Sequence, residues 1–444
     1  MLRRGRVERT DATKRVPQSG EFGNCRKLSF YPGCSGKRLR GQACIVSLDS
    51  VKPLDGIRVV DLSRILAGPY CSMLLSDFGA EIIKIENPDK GDDTRAYGPP
   101  FLEGESVYFL SINRGKKSLT LNLKTPEARE ILKKLIQQSD VLLENFRRDY
   151  LQSIGFGYDE VVKLNPKIIY ASVTGYGHTG PWADRPGYDL AVQGQSGIMS
   201  LTGDPNGEPY KTGTSLADIT AGIYATLGIL LALQARHRTG QGQKVDVSLL
   251  DGQISFLTYQ AGIYFGTGKS PTRKKNQHPT IVPYETFKAS DRWFNLAAGN
   301  DRLWQQFCDL IGRPDLKTHE KFATNPKRVQ NHDELHPVLE KIFAAKTADE
   351  WLALLEKGGI PCGPIYSVAE VLEHPQVRAR EMVVERPHPK LKSVKMTGVP
   401  VKLSGTPGNA GDAPPMLGQH TQEVLRDLGY KDADIDHLKK AGAI

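Results

Sequence analysis

The chain has 444 residues, of which 39% are hydrophobic and 25% are charged, with a formal net charge of +9. This length allows two or three domains, and the composition is that of a soluble globular protein, which excludes the disordered and fibrous classes. Residues 1–50 hold eleven Lys/Arg and four Asp/Glu, a net charge of +7, so the rest of the chain carries only +2. A body so close to neutral predicts no nucleic-acid partner.

The first 50 residues form a basic leader that we expect to be disordered. It has no apolar segment of the kind found in secretory signals. Its arginine content resembles that of a mitochondrial presequence, but its acidic residues are not typical of one. A misassigned start codon would explain the leader equally well. The predicted location is therefore the cytoplasm or the mitochondrial matrix. The six cysteines form no CxxC pair and have no histidine at metal-ligand spacing, which predicts reduced thiols and no metal site.

After the leader, apolar runs alternate with amphipathic segments. The stretch after Leu54 predicts a strand over 57–62, a helix over 69–77 and a strand over 81–86, which together form a parallel βαβ unit. Further strands are predicted in "KKSLTLNLK", "VLLEN" and "KIIYASVTG", and a helix begins at Pro126. The fold class is therefore α/β, with a large Rossmann-like domain built on a parallel sheet.

The rest of the chain completes a two-domain prediction. The apolar run 219–235 is shorter than the ~20 residues that a membrane span needs, so we expect a buried core helix and no membrane partner. Residues 51–265 form the first part of the large domain, and 266–283, rich in Gly, Pro and Lys, form a linker. Residues 284–378 form a smaller α/β domain, and 379–444 return to the large one.

A literal G-x-G-x-x-G follows the predicted strand "KIIYASVTG", at Gly175, Gly177 and Gly180. A dinucleotide fingerprint needs a helix to start inside its glycines, so that the first amides face the pyrophosphate. Pro181 and Pro186 follow at once and do not allow a helix to continue. The pattern therefore favours a turn that closes the strand over a dinucleotide site.

An acidic residue, Asp218, stands where the apolar helix of "GTSLADITAGIY" begins. One interpretation is structural, because Ser215 to Asp218 matches the S-x-x-D capping box. The other is catalytic, because a carboxylate at a helix N-terminus is held ionised and can act as a nucleophile. Spacing alone leaves both interpretations open.

Ordered motifs from Leu54 to the C-terminus give the chain a specific resemblance. They are "PLDGIRVVDLSRILAGPYC", "GAEIIKIE", "GDDTR", "NRGKKSLTLNLK", "ENFR", "GYGHTGP", "GYD", "GTSLAD", "TGQGQKVDVSLLDG", "GIPCGP" and "LGQHT". In these motifs the chain resembles the class III CoA-transferase family, of CaiB/BaiF type. The resemblance implies that Asp218 is a nucleophile that forms an aspartyl-CoA thioester. It also implies that an acyl-CoA and a carboxylic acid are the substrates, that no cofactor is tightly bound, and that two chains form an interlocked homodimer.

The resemblance further implies a set of binding residues. The positions that match the CoA contacts of the family are Leu66, Ala67, Asn87, Leu121, Lys124, Asn145, Phe146, Arg147, Arg185 and Tyr188. Lys124 and Arg147 are the candidates for phosphate contacts, although a solvated charged face would explain them equally well. Asp189 and His278 match positions near the substrate, where a turn-capping aspartate and a structural histidine are the alternatives.

Within the family, the sequence along the chain is most similar to the branch that transfers CoA from succinyl-CoA to a dicarboxylic acid such as glutarate. The acetyl-CoA:oxalate and formyl-CoA types are alternatives within the family. An α-methylacyl-CoA racemase would carry histidine where Tyr188 stands, and a tyrosine with its ordinary pKa of ~10 is a poor proton base at neutral pH. A CoA-binding protein without catalysis is the remaining alternative, in which Asp218 is only a helix cap.

Overall fold

The structure is a computed structural model that describes residues 51–444, and the predicted leader lies outside the described residues. The strands of this part of the chain are β1 (Arg58–Asp61), β2 (Glu81–Glu86), β3 (Phe101–Leu102), β4 (Glu105–Ser106), β5 (Lys116–Thr120), β6 (Val141–Glu144), β7 (Ile169–Thr174), β8 (Gln243–Ser248), β9 (Tyr284–Lys288), β10 (Trp293–Ala297), β11 (Cys362–Pro364), β12 (Val383–His388) and β13 (Lys392–Thr397). The helices are α1 (Ala67–Asp77), α2 (Val107–Ile112), α3 (Pro126–Gln137), α4 (Tyr150–Ser153), α5 (Tyr158–Leu164), α6 (Asp189–Gln195), α7 (Leu216–Thr239), α8 (Leu249–Ser255), α9 (Thr258–Thr267), α10 (Asp301–Leu310), α11 (Asp315–Thr318), α12 (Asn325–Gln330), α13 (His332–Phe343), α14 (Ala348–Lys357), α15 (Val368–Glu373), α16 (Pro375–Ala379), α17 (Thr421–Asp427) and α18 (Asp432–Lys440).

A six-stranded sheet in the order β5-β2-β1-β6-β7-β8 forms the centre of the large α/β region. All five of its strand pairs are parallel, which confirms the predicted fold class. From β1 the chain adds β2 and then β5 on one side of the sheet, and it then adds β6, β7 and β8 in turn on the other side. The strand order therefore reverses between β1 and β6, and in open α/β sheets ligands bind beyond the carboxyl ends of the strands at such a switch point.

Helices cover both faces of this sheet. Neighbouring residues of β1 point to opposite faces, so Val60 joins a core with α3, α5, α17 and α18, whereas Val59 joins a second core with α1 and α7. Helix α3 begins as predicted, with Pro126 in its first turn and the Thr125 hydroxyl accepting a hydrogen bond from the Ala128 amide. The edge strand β5 is covered by the returning C-terminal chain, because the Thr120 amide donates to the Thr421 hydroxyl.

A separate aromatic core lies under the antiparallel sheet β9-β10-β11. Its rings include Phe287, Phe294, Trp304, Phe307, Phe343 and Trp351, all of them buried. Helices α10, α13 and α14 supply four of these six rings, so apolar contacts join these helices to the antiparallel sheet.

Helix α7 has 24 residues and is long and apolar enough, by length and composition, to cross a membrane. Its small residues lie against α1, and a Cβ added at Gly222 would stand 2.7 Å from the carbonyl oxygen of Ala67. The opposite face is exposed, with Leu227 and Leu231 at 48% and 62%. The predicted core helix therefore packs by one face only.

Candidate active site

The glycine-rich loop after β7 turns sharply and returns to the end of that strand. A Cβ added at Gly175 would stand 2.5 Å from the Cα of Gly187, so the two backbones touch where no side chain fits. Gly177 and Gly180 have φ values of +82° and +85°, and the next helix, α6, begins only at Asp189. The glycines therefore close a turn, as predicted, and no helix starts among them.

The contact between Gly175 and Gly187 places Asp189 beside the carboxyl ends of the strands. This positioning role can be tested by substitution. We expect Gly187→Ala to reduce kcat/KM by about 10–100-fold, because a shift of about 1 Å in a positioning segment has effects of that size. Steady-state kinetics with an acyl-CoA donor measures the change. The matched control is Gly194→Ala in α6, where the added Cβ would meet only the Met199 sulfur at 3.6 Å. Equal activity of the two variants would contradict the positioning role.

Asp189 is bonded to the start of helix α7. Its Oδ1 accepts a hydrogen bond from the Ala217 amide at 2.9 Å, and its Oδ2 accepts one from Gln193 Nε2 at 2.8 Å. Ser215, the residue before α7, makes no capping hydrogen bond with its side chain. The capping-box interpretation of Ser215 and Asp218 is therefore wrong, because a residue from another helix supplies the cap.

The Asp218 carboxylate lies in the first turn of α7 and is half-buried. It accepts no hydrogen bond from any residue between 51 and 444. Burial raises its pKa to about 7, and the charge of Asp189 adds to the effect. A raised carboxyl pKa, in a carboxylate that accepts no hydrogen bond from residues 51–444, is typical of a functional group rather than a structural one.

Two tyrosines, absent from the predicted site, complete this region. Tyr108 of α2 packs edge-on against Tyr97, with ring centroids 5.6 Å apart. Burial, and then the charge of nearby Asp218, raises the pKa of Tyr108 to about 12. Its phenol therefore stays neutral and is available as a hydrogen-bond donor beside Asp218. In sequence, "VYFLSI" looks like an ordinary apolar core segment, so nothing there singles out Tyr108.

A cleft opens at the switch point of the large sheet. Four of the predicted CoA-binding residues line it together, namely Asn87, Leu121, Lys124 and Phe146. It is also lined by Arg64, which the sequence does not single out because an arginine in a loop is usually only solvated. The side chain of Asn145 makes two hydrogen bonds with the backbone of Arg64. Its Nδ2 donates to the carbonyl oxygen at 2.7 Å, and its Oδ1 accepts from the amide at 2.8 Å. Asn145 thereby joins the loops that follow β1 and β6.

The remaining predicted residues lie outside the lining of this cleft. Leu66 and Ala67 are buried at the start of α1, and Arg147 is exposed. The guanidinium of Arg185 lies 4.7 Å from the ring centroid of Trp182, and the side chain of Tyr188 is 66% exposed.

His278 does not meet the aspartates within one chain. Its ring packs against Tyr259 and Tyr284, with centroids 5.1 and 5.3 Å away, and burial lowers its pKa. None of its hydrogen bonds or ring contacts within 51–444 reaches Asp218.

Lys124 is an exposed cation at the rim of the cleft, which suits it to a phosphate group. We expect Lys124→Gln to raise KM for an acyl-CoA by about 3–10-fold with little change in kcat, because one charge-assisted contact contributes about 1 kcal/mol at an exposed position. Initial rates measured over a range of acyl-CoA concentrations test this. Lys163→Gln, at an exposed position on α5, is the control. An unchanged KM for Lys124→Gln would mean that this lysine is only solvated.

The parallel sheet, the cleft at its switch point and the half-buried carboxylate at the start of α7 are the features of an α/β enzyme with a group suited to covalent transfer. The family model for CoA-transferase family III matches residues 54–421, and the chain belongs to that family. The protein is therefore a CoA-transferase.

Individual relatives agree with this assignment. The chain is 41% identical to the succinyl-CoA:glutarate CoA-transferase of Mus musculus over 397 residues, 89% of this chain and 91% of that one. It is 45% identical to the acetyl-CoA:oxalate CoA-transferase of Acetobacter aceti over 354 residues, 80% of this chain and 90% of that one. Among solved structures, a CAIB/BAIF family protein from Brucella suis is 42% identical, with a TM-score of 0.77 over 85% of this chain and 100% of that one.

Proposed function

We propose that this enzyme transfers CoA from succinyl-CoA to a dicarboxylic acid such as glutarate, and that Asp218 carries the CoA as a thioester between the two. The observation that carries the proposal is the Asp218 carboxylate, which is half-buried and accepts no hydrogen bond from residues 51–444. The mouse relative is named for this pair of substrates at 41% identity, and the relative from Acetobacter, named for acetyl-CoA and oxalate, at 45%.

The chemistry needs four attacks and no net proton transfer. First, a carboxylate oxygen of Asp218 attacks the thioester carbonyl of succinyl-CoA, the C–S bond breaks, and CoA leaves as a thiolate while a mixed anhydride forms. Second, the thiolate attacks Cγ of Asp218, the anhydride C–O bond breaks, succinate leaves, and an aspartyl-CoA thioester remains.

The second half repeats these steps with the acceptor. An oxygen of the acceptor carboxylate attacks Cγ of Asp218, the C–S bond of the aspartyl-CoA thioester breaks, and CoA leaves as a thiolate while a second mixed anhydride forms between the acceptor and Asp218. The thiolate then attacks the acceptor carbonyl, and the new acyl-CoA and a free Asp218 carboxylate result. Because one thioester is exchanged for another, no other energy source is required.

Three features of the structure support these steps. The cleft residues Arg64 and Lys124 supply positive charge for an anionic carrier. Asp218 lies in the first turn of α7, where the helix dipole offsets part of the cost that burial imposes on its charge. The Tyr108 phenol can donate a hydrogen bond to a carbonyl oxygen on which charge develops.

A trapping experiment tests the covalent step. The protein is incubated with succinyl-CoA and without acceptor, and peptides are analysed by mass spectrometry. We expect a CoA adduct at Asp218 that hydroxylamine or borohydride removes. If no adduct forms while transfer to an acceptor proceeds, the aspartyl-CoA mechanism is wrong, and if neither occurs, the non-catalytic alternative stands.

The acceptor is tested by a panel of carboxylic acids assayed with succinyl-CoA as donor. We expect glutarate to give a higher kcat/KM than oxalate, formate and monocarboxylates. A preference for oxalate with acetyl-CoA would favour the acetyl-CoA:oxalate alternative. Exchange of an α-proton with solvent, measured with a 2-methylacyl-CoA in deuterated water, would favour the racemase alternative, in which Tyr188 replaces the expected histidine.

We also propose that the enzyme is a homodimer. Helices α7 to α9 expose several large apolar side chains, among them Leu231 at 62% and Phe265 at 81%, and an apolar face of this kind is typical of an interface. A second chain would bury this face and would explain why His278 lies apart from Asp218 within one chain. Light scattering on the purified protein tests the proposal, and a monomer would contradict it. The proposed location, cytoplasm or mitochondrial matrix, rests on the leader alone.

A further inference from the structure

Three side chains with metal-ligand chemistry meet away from the CoA site. Glu285 on β9 faces His332 and His336, which stand one turn apart on α13. One ligand atom from each side chain lies within 4.8 Å of the other two. Glu285 is only 7% exposed, whereas the two histidines are partly exposed and leave a route from solvent.

The distances in this cluster are close to those of a coordination sphere. His332 Nε2 lies 3.0 Å from Glu285 Oε1, and His336 Nδ1 lies 2.8 Å from Glu285 Oε2. Ligand atoms placed tetrahedrally around zinc, each about 2.1 Å from the ion, are about 3.4 Å apart. Each histidine nitrogen is therefore a few tenths of an ångström closer to a Glu285 oxygen than it would be around a zinc ion, and all three ligand atoms already lie within 4.8 Å of one another.

One nitrogen in the cluster has no hydrogen bond of its own. His336 Nδ1 is buried and, although close to Glu285, has no hydrogen-bond partner of acceptable geometry among residues 51–444. The ring is fixed in place by stacking on Phe287, with centroids 5.2 Å apart and planes at 25°. A buried, oriented nitrogen without a hydrogen bond is costly unless another ligand satisfies it.

The outward nitrogens of both histidines have the partners that metal ligands normally have. His336 Nε2 lies 3.2 Å from Glu340 Oε1, and His332 Nδ1 lies 3.3 Å from Asp333 Oδ1. Histidines that bind a metal usually donate their other ring N–H to a carboxylate, which fixes the tautomer and strengthens the ligand. Two such pairs in one cluster are not needed for a simple ion pair with Glu285.

We propose that Glu285, His332 and His336 form a binding site for a divalent transition metal ion, with zinc as the best match and one coordination position open to water. The donor set of two imidazoles and one carboxylate, with histidines at i and i+4 of a helix, is one that zinc accepts. Such an ion would join β9 to α13. This proposal departs from the prediction of no metal site. Sequence spacing did not indicate the site because Glu285 lies 47 residues before His332 and no cysteine takes part.

Cobalt provides a direct test, because tetrahedral Co²⁺ absorbs visible light. Protein without a histidine tag is stripped with a chelator and titrated with Co²⁺ at pH 8, because metal binding displaces imidazole protons and is favoured as the pH rises. We expect one Co²⁺ per chain, an absorption band of tetrahedral type, displacement by one equivalent of Zn²⁺, and a higher melting temperature with Zn²⁺. Absence of the band, or a stoichiometry far below one, would mean that the cluster is an ion pair only.

Variants locate the site. We expect His336→Gln and His332→Gln each to weaken Co²⁺ binding by about 100-fold or more, since each removes one of three protein ligands. His437→Gln, an exposed histidine on helix α18, should leave binding unchanged. Circular dichroism of the metal-free variants separates lost ligation from lost folding, and two histidine variants are made so that at least one folded protein is compared. Binding that survives undiminished in both would overturn the assignment.

Discussion

Asp218→Asn is expected to lose about 10⁴-fold or more of the CoA-transfer activity while the protein stays folded. The amide has the size of the carboxylate but is not a nucleophile, so neither the first anhydride nor the aspartyl-CoA thioester can form, and loss of a covalent nucleophile has effects of this order. The measurements are kcat with succinyl-CoA and glutarate, and the mass of the protein after incubation with succinyl-CoA alone.

The control for this variant is Asp251→Asn. Asp251 stands in the first turn of α8, as Asp218 does in α7, but it is exposed. Near-normal activity for Asp251→Asn and near-zero activity for Asp218→Asn would separate catalysis from a general need for charge at helix N-termini. Retention of a tenth or more of the activity in Asp218→Asn, in protein free of deamidated material, would contradict the nucleophile assignment.

The second large effect is expected in the pH dependence of kcat/KM. Attack requires the ionised carboxylate, and the pKa of Asp218 is raised to about 7 by burial and by the charge of Asp189. We therefore expect kcat/KM to fall about tenfold per pH unit below pH 7 and to level off above it. Asp189→Asn should move the midpoint to lower pH, because it removes the negative charge but keeps an oxygen that can accept from the Ala217 amide.

Stability provides an independent measurement of the same pKa. The folded protein disfavours the ionised form of Asp218, whose pKa in the unfolded chain is near 3.8, so this residue costs stability as the pH rises from 4 to 7 and the full cost remains above 7. Asp218→Asn removes that cost, and we expect it to stabilise the protein by about 1–3 kcal/mol at pH 8 and much less at pH 4. Thermal or urea unfolding at both pH values tests this. A variant less stable than the parent at pH 8 would contradict the raised pKa.

Asp189→Asn has a cost of its own that the kinetic test must allow for. Its amide nitrogen would face Gln193 Nε2, which now donates to Asp189 Oδ2. Losing that hydrogen bond costs about 1 kcal/mol of stability, but it does not move a pH midpoint downward. A midpoint that stays near 7 in Asp189→Asn would mean that burial alone sets the pKa of Asp218.

Local patterns in the sequence were enough to predict the sheet. Apolar runs such as "EIIKIE" and the proline at the start of α3 act within a few residues, and β2 and α3 begin where the patterns indicate. The turn at the glycine-rich loop was also predictable, because Pro181 and Pro186 forbid a helix there whatever the rest of the fold does.

The site depended on contacts that no local pattern contains. Ser215 and Asp218 have capping-box spacing, yet the cap of α7 comes from Asp189. This residue accepts a hydrogen bond from the Ala217 amide, 28 residues further along the chain. Arg64 reaches the cleft, and Tyr108 the neighbourhood of Asp218, only because the fold brings together segments that are distant in sequence. The family resemblance predicts Asp218 as the nucleophile, but the burial and the neighbouring charge that raise its pKa follow only from the three-dimensional structure.

The meeting of Gly175 and Gly187 has a consequence for how substrate binding can change in such an enzyme. A junction made of backbone alone holds its shape whatever the side chains around it become. Tyr188, directly after the junction, is exposed and therefore free to vary, while Asp189 stays fixed to the first turn of α7. We expect substitutions at Tyr188 to change substrate binding while the placement of Asp189 is kept, so a library of substitutions at Tyr188 is a natural place to begin redesign.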